Sequence, residues 1–160
     1  MKPRGFTLIE MLVVLTIVGI LAAAALPLQA LTLRRSQEQA LRSGLRQIRG
    51  ALDAHRAAVE AGRIAPGPGG SPWPASLGVL VQGVPLLDPQ GQTSSDGPRL
   101  YLLRQLPRDP FADPALPAEQ TWALRASTTP PEAPAPGADV FDLRSRSPRQ
   151  ALDGSAYQDW

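Results

Sequence analysis

Residues 4–27, RGFTLIEMLVVLTIVGILAAAALP, place one carboxylate, Glu10, inside a run that otherwise reads as lipid-facing. From Phe6 to Leu26 the only members that are not plainly apolar are Thr7, Glu10, Thr16 and Gly19. About 20 apolar residues in a helix span a bilayer, so the run is long enough. An ionised side chain at that depth costs about 2.5–3.5 kcal/mol on insertion scales. Glu10 therefore either lies near the interface or has a partner.

Working outward, the run is flanked by a short basic stretch, residues 1–5, and closed by Pro27. In residues 28–62, Leu41, Leu45, Ile48, Leu52, His55 and Val59 recur at steps of four and three. That spacing draws one apolar stripe on a helix. Gly62 marks its stop, and Gly44 and Gly50 weaken it locally. A helix from Phe6 to Ala61 would measure about 84 Å. Its first half has no polar face; its second half has one face to bury against a small sheet.

From residue 63 the composition changes. Segments such as Pro66-Gly67-Pro68-Gly69-Gly70 and Asp96-Gly97-Pro98 are loops. Ala75 to Val81 is predicted as a short helix after Pro74. Thr121–Ala126 and Asp139–Arg144 are predicted as strands, with Phe141 and Leu143 on one face of the second. Thr129–Gly137, TPPEAPAPG, is a proline-rich connection between them. The fold class is thus α+β: a long N-terminal helix, membrane-spanning in its first half and amphipathic in its second, packed on a small antiparallel sheet. The predicted zones are 1–5, 6–27, 28–62 and a head at 63–160.

Charge and composition exclude several functions. The formal net charge is +2, and removing residues 1–5 takes away Lys2 and Arg4, leaving 14 basic against 14 acidic side chains. No basic block interleaved with aromatics favours nucleic acid. There is no cysteine, hence no disulfide and no thiolate metal or redox site. The single histidine, His55, has no ligand partner one turn away and reads as a helix-flank residue at the head's edge. No nucleophile–histidine–acid set, phosphate-binding glycine loop or histidine pair is present, so no enzyme is expected.

Three readings of residues 1–27 compete. A secretory signal peptide would explain the basic start and Ala22-Ala23-Ala24, but its apolar core is usually 7–15 residues. A plain anchor leaves orientation open, because Lys2 and Arg4 on one side face Arg34 and Arg35 on the other. The string Gly5-Phe6-Thr7-Leu8-Ile9-Glu10 is more specific. It resembles the processing site of type IV pilins and type II secretion pseudopilins, a resemblance extended by the basic leader, the run length and Pro27.

The resemblance implies cleavage between Gly5 and Phe6 by a prepilin peptidase, N-methylation of Phe6, and a helix kink at Pro27. It implies a single-pass inner-membrane protein, N-terminus cytoplasmic and head periplasmic, shaped like a lollipop. Its partners would be membrane lipid before assembly, then copies of itself, minor pseudopilins and an inner-membrane assembly platform. Cleavage would create an amine at Phe6. That amine and the Glu10 carboxylate are each costly in lipid and relieve one another when paired. A neighbour in a filament supplies such a pair; within one subunit the two groups are also a single turn apart.

The head is similar to the major pseudopilin in Trp73-Pro74-Ala75-Ser76-Leu77, in Leu106-Pro107-Arg108-Asp109-Pro110-Phe111, and in an ending with Asp142-Leu143-Arg144-Ser145, Asp153-Gly154 and Asp159-Trp160. Many pilus-forming pilins instead close their C-terminal loop with a disulfide. The resemblance therefore implies a pseudopilin of a type II secretion system, with a type IV pilus pilin as the alternative. It departs where Arg146-Ser147-Pro148-Arg149-Gln150 replaces a glycine-rich loop, and segments 82–99 and 129–137 are longer than the pattern. In the resembled family a calcium ion staples the C-terminal loop. Its oxygen ligands here would be drawn from Asp139, Asp142, Ser145, Asp153 and Asp159. The competing reading makes these turn and capping residues, with Arg144, Arg146 and Arg149 opposing a cation.

Overall fold

The computed structural model describes residues 7–94 and 96–160, with the side chains of 24–28 left aside. One helix, α1, runs Leu8–Glu60. Its end is a glycine-closed turn. Gly62 adopts φ +65°, its N–H donates to the Val59 carbonyl at 2.9 Å, and the Arg63 N–H donates to Ala58 at 2.9 Å. This pair of bonds satisfies the last carbonyls of the helix, and the left-handed residue it needs is cheapest as glycine.

The chain divides by internal packing into two units, Met1–Gln37 and Glu38–Trp160. In the first, the large apolar side chains from Leu8 to Leu21 are 48–85% exposed. They occur on every side of the helix, including five in succession from Met11 to Leu15. A helix apolar all round requires lipid or other helices to cover it. Among the described residues no helix is long and apolar enough to cross a membrane.

The second unit holds the core. Leu41, Leu45, Ile48, Leu52 and His55 are buried as the spacing predicts, with Ala51 and Ala58 beside them, while Val59 is only partly buried. Gly44 has a packing reason: a Cβ there would lie 3.3 Å from Pro107 and 3.5 Å from the Trp122 ring. Trp122, wholly buried, donates from Nε1 to the Pro107 carbonyl at 2.9 Å. The core continues through Trp73, Leu77, Leu80, Val140, Leu143 and Tyr157.

Four short strands form two antiparallel pairs: β1 (Val84–Pro85) with β2 (Arg99–Leu100), and β3 (Trp122–Arg125) with β4 (Asp142–Ser145). In the second pair Trp122 faces Ser145 and Leu124 faces Leu143. Leu143 and Ser145 point inward, Asp142 and Arg144 less so. The small sheet expected from the sequence is thus two separate ribbons. The short helix α2 occupies Gly78–Gln82, later than the predicted Ala75–Val81. The Thr129–Gly137 connection is pinned across its base, where the Ala126 N–H donates to the Ala135 carbonyl at 2.9 Å.

Candidate functional site

Thr7 and Glu10 are locked together at the start of α1. The Thr7 N–H donates to Glu10 Oε2 at 3.4 Å, and the Glu10 N–H donates to Thr7 Oγ1 at 3.3 Å. This is the reciprocal capping arrangement in which a threonine and a glutamate three residues on each satisfy one free donor of the helix start. The negative charge also lies at the positive end of the helix dipole. Farther along, Thr16 donates from Oγ1 to the Leu12 carbonyl at 2.7 Å. These polar side chains in the apolar run therefore bond locally, as an environment without water demands. The expected cleavage site, Gly5 and Phe6, lies outside the described residues. Pro27 falls within α1, its side chain outside the description.

Residues 1–26 match the family model of the prokaryotic N-terminal methylation motif. This chain begins as type IV pilin-like proteins do. Processing by prepilin peptidase and assembly into polymers go with that motif, which pilins and pseudopilins share. No curated protein and no solved structure matches the chain.

The five oxygen-bearing residues of the expected calcium site are dispersed. Asp139 accepts from Ser71 Oγ at 2.5 Å, Ser127 Oγ at 2.6 Å and the Ser127 N–H at 2.9 Å. Burial opposes its ionisation, yet the Ser127 and Ser71 donors outweigh that and hold its pKa below the ordinary value of 3.8. Asp142 pairs with Arg49 Nε at 2.8 Å. Ser145, buried, donates to the buried Asp109 at 2.5 Å. Asp153 accepts from Ser155 Oγ at 2.6 Å and faces Arg42 at 3.2 Å. Asp142 and Asp159 line one cavity, which they share with Arg49, Arg125 and Arg144.

Calcium needs six to eight oxygens at 2.3–2.6 Å. Asp142 and Asp153 are held by arginines seven positions apart on α1, about 10 Å along its axis. Among the described residues no group of three or more His, Cys, Asp or Glu could hold a metal ion. The donor set does not fit a calcium ion.

The side chains that do organise the C-terminal segment lie on α1 and escape a reading of the segment alone. Glu38, buried, accepts from the Tyr157 hydroxyl at 2.9 Å and from the Leu152 N–H at 2.9 Å. Arg42 lies 4.1 Å over the Trp160 ring. Arg49 also donates to the main-chain oxygens of Leu143 and Trp160, at 3.0 and 2.9 Å. Positions 38, 42 and 49 share one flank of the helix beside the apolar stripe. Their spacing was the available signal.

His55 keeps its predicted place on the apolar stripe, but as a buried residue rather than one at the head's edge. It is 2% exposed, with Nδ1 3.0 Å from the Pro72 carbonyl. Burial lowers its pKa below 6.5, against the opposing pull of that carbonyl. The neutral ring with its proton on Nδ1 donates this bond, a role that places it in the core.

Proposed function

We propose that the chain is a structural pseudopilin subunit of a type II secretion system, with no catalytic activity of its own. Prepilin peptidase cleaves between Gly5 and Phe6, and Phe6 is N-methylated. The subunit waits in the inner membrane, head in the periplasm. It then polymerises with copies of itself and minor pseudopilins, on an inner-membrane assembly platform, into a filament that drives protein export.

The methylation motif over residues 1–26 carries the processing and polymerisation in this reading, which pilins and pseudopilins share. The all-round apolar face of α1 supports polymerisation, since only lipid or neighbouring helices can cover it. The Thr7–Glu10 bonds supply the resting state of the carboxylate. During assembly the Phe6 amine of a neighbour takes over as partner, because a charge pair in lipid outweighs a bond to a neutral donor. Favouring the secretion branch are the cysteine-free head and the turn at 106–111, whose Pro107 carbonyl and Asp109 carboxylate both bond core side chains.

Mass spectrometry of the mature chain tests the processing step; the expected first residue is N-methylated Phe6. Glu10→Ala is expected to be processed normally and to fail to form filaments. Deleting the gene decides the branch: loss of a secreted protein is expected, whereas loss of surface pili alone would make the subunit a pilus pilin.

A further inference from the structure

The oxygens gathered at the C-terminal segment are one carboxylate, Asp142, and two main-chain oxygens, those of Leu143 and Trp160. Carboxylate plus carbonyl is the ligand chemistry of a hard cation. All three converge on the Arg49 guanidinium, at 2.8, 3.0 and 2.9 Å. We infer that Arg49 is the resident cation of this segment, holding strand β4 and the chain end against α1 in the place a divalent ion would otherwise fill.

Three further observations fit this assignment. The planar guanidinium presents several donors in a fixed fork, so one side chain can satisfy three acceptors in different directions. The space beside it, about 280 Å³, is lined by Arg125 and Arg144 as well as Asp142 and Asp159, so its carboxylates are matched by arginines and leave no excess negative charge to draw a second cation. Seven residues earlier, Arg42 repeats the arrangement on a smaller scale, pairing with Asp153 at 3.2 Å and covering Trp160. The closure of the segment is therefore built into α1 and requires no ion from the surroundings.

The test uses the full chain in detergent micelles, with thermal unfolding followed by circular dichroism and hydrogen exchange read over residues 142–160. With EDTA, with calcium chloride and with magnesium chloride, the unfolding midpoint and the exchange of the segment are expected to coincide. Arg49→Gln is expected to lower the midpoint by about 5 °C and to speed exchange in 142–160. Arg49→Lys, which keeps the charge without the fork, should fall between. A midpoint that drops in EDTA and is restored by calcium but not magnesium would overturn the inference. So would an Arg49→Gln chain with unchanged exchange in this segment. If Arg49→Gln does not fold, the chelator comparison on the unmodified chain still decides.

Discussion

The Tyr157 hydroxyl donates to Glu38 Oε1 at 2.9 Å, joining residues 119 positions apart. The same oxygen accepts the Leu152 N–H at 2.9 Å. A helix residue of the second unit thus fixes both the ring that anchors the chain end and the backbone leading to it. Tyr157 in turn stacks on Phe111 at 4.3 Å and meets Trp160 edge-on at 5.0 Å. The aromatic cluster and the buried acid hold one another in place.

Removing that acid should therefore cost more than its single charge implies. Glu38→Ala withdraws an acceptor from two donors, each worth about 1–3 kcal/mol when a buried partner is lost. The expected loss is about 2–3 kcal/mol in urea unfolding, with Glu38→Gln, which keeps a carbonyl oxygen, losing about half as much. Equal losses for the two variants would show that the charge, not the acceptor, matters.

Two glycines of α1 should respond oppositely to alanine. Gly50 has nothing within 4 Å of an added Cβ, so Gly50→Ala should gain about 0.5–1 kcal/mol from helix propensity. At Gly44 the added methyl would press against the Pro107 Cβ at 3.3 Å and the Trp122 ring at 3.5 Å. A proline ring and a wholly buried indole cannot yield readily. Gly44→Ala should lose about 1 kcal/mol net, the overpacking cost exceeding the propensity gain. Denaturation of both variants against the unmodified chain checks the signs.

Asp109 and Ser145 form a buried pair that a double-mutant cycle should expose. Ser145 Oγ donates to Asp109 Oδ2 at 2.5 Å, and the Phe111 N–H donates to Asp109 Oδ1 at 2.8 Å. Ser145 also accepts the Ser147 N–H at 3.0 Å. These bonds join the 106–111 turn to β4. Each single alanine variant should lose about 2 kcal/mol, since a bond to a charged group is broken in the interior. The double variant should lose at least about 1 kcal/mol less than the sum. Strict additivity would mean the two side chains stabilise the fold independently.

The long helix, its stripe and its glycine stop were legible because they rest on local periodicity and on one residue type with a special backbone. The β3–β4 strands were legible for the same reason, through alternation along Phe141–Arg144. The shift of α2 and the separation into two ribbons were not, since short elements take their limits from tertiary contacts such as the Leu102 and Leu103 N–H groups donating to the Leu80 carbonyl. The processing motif was legible as a contiguous string. The closure of the C-terminal segment was not, because its partners Glu38, Arg42 and Arg49 stand more than 90 residues upstream. Acids read in isolation resemble metal ligands; only the fold reveals which cation faces them.

His55 should impose a pH dependence on stability. Its pKa in the folded chain lies below the unfolded value of 6.5, chiefly because burial disfavours the imidazolium. Between those two values the unfolded chain binds the proton that the folded chain refuses, so stability rises with pH. The contribution is complete above pH 6.5 and is lost as pH falls through the folded pKa. Asp139, whose pKa is depressed from 3.8, acts in a separate and more acidic window. Unfolding midpoints measured from pH 7.5 to 4.5 should therefore decline first below about 6.5. His55→Asn retains an amide donor for the Pro72 carbonyl but cannot take up the proton. That variant should be less stable at pH 7.5, having lost ring packing, yet flat across the window in which the unmodified chain declines. A decline of equal slope in His55→Asn would assign the titration to another group.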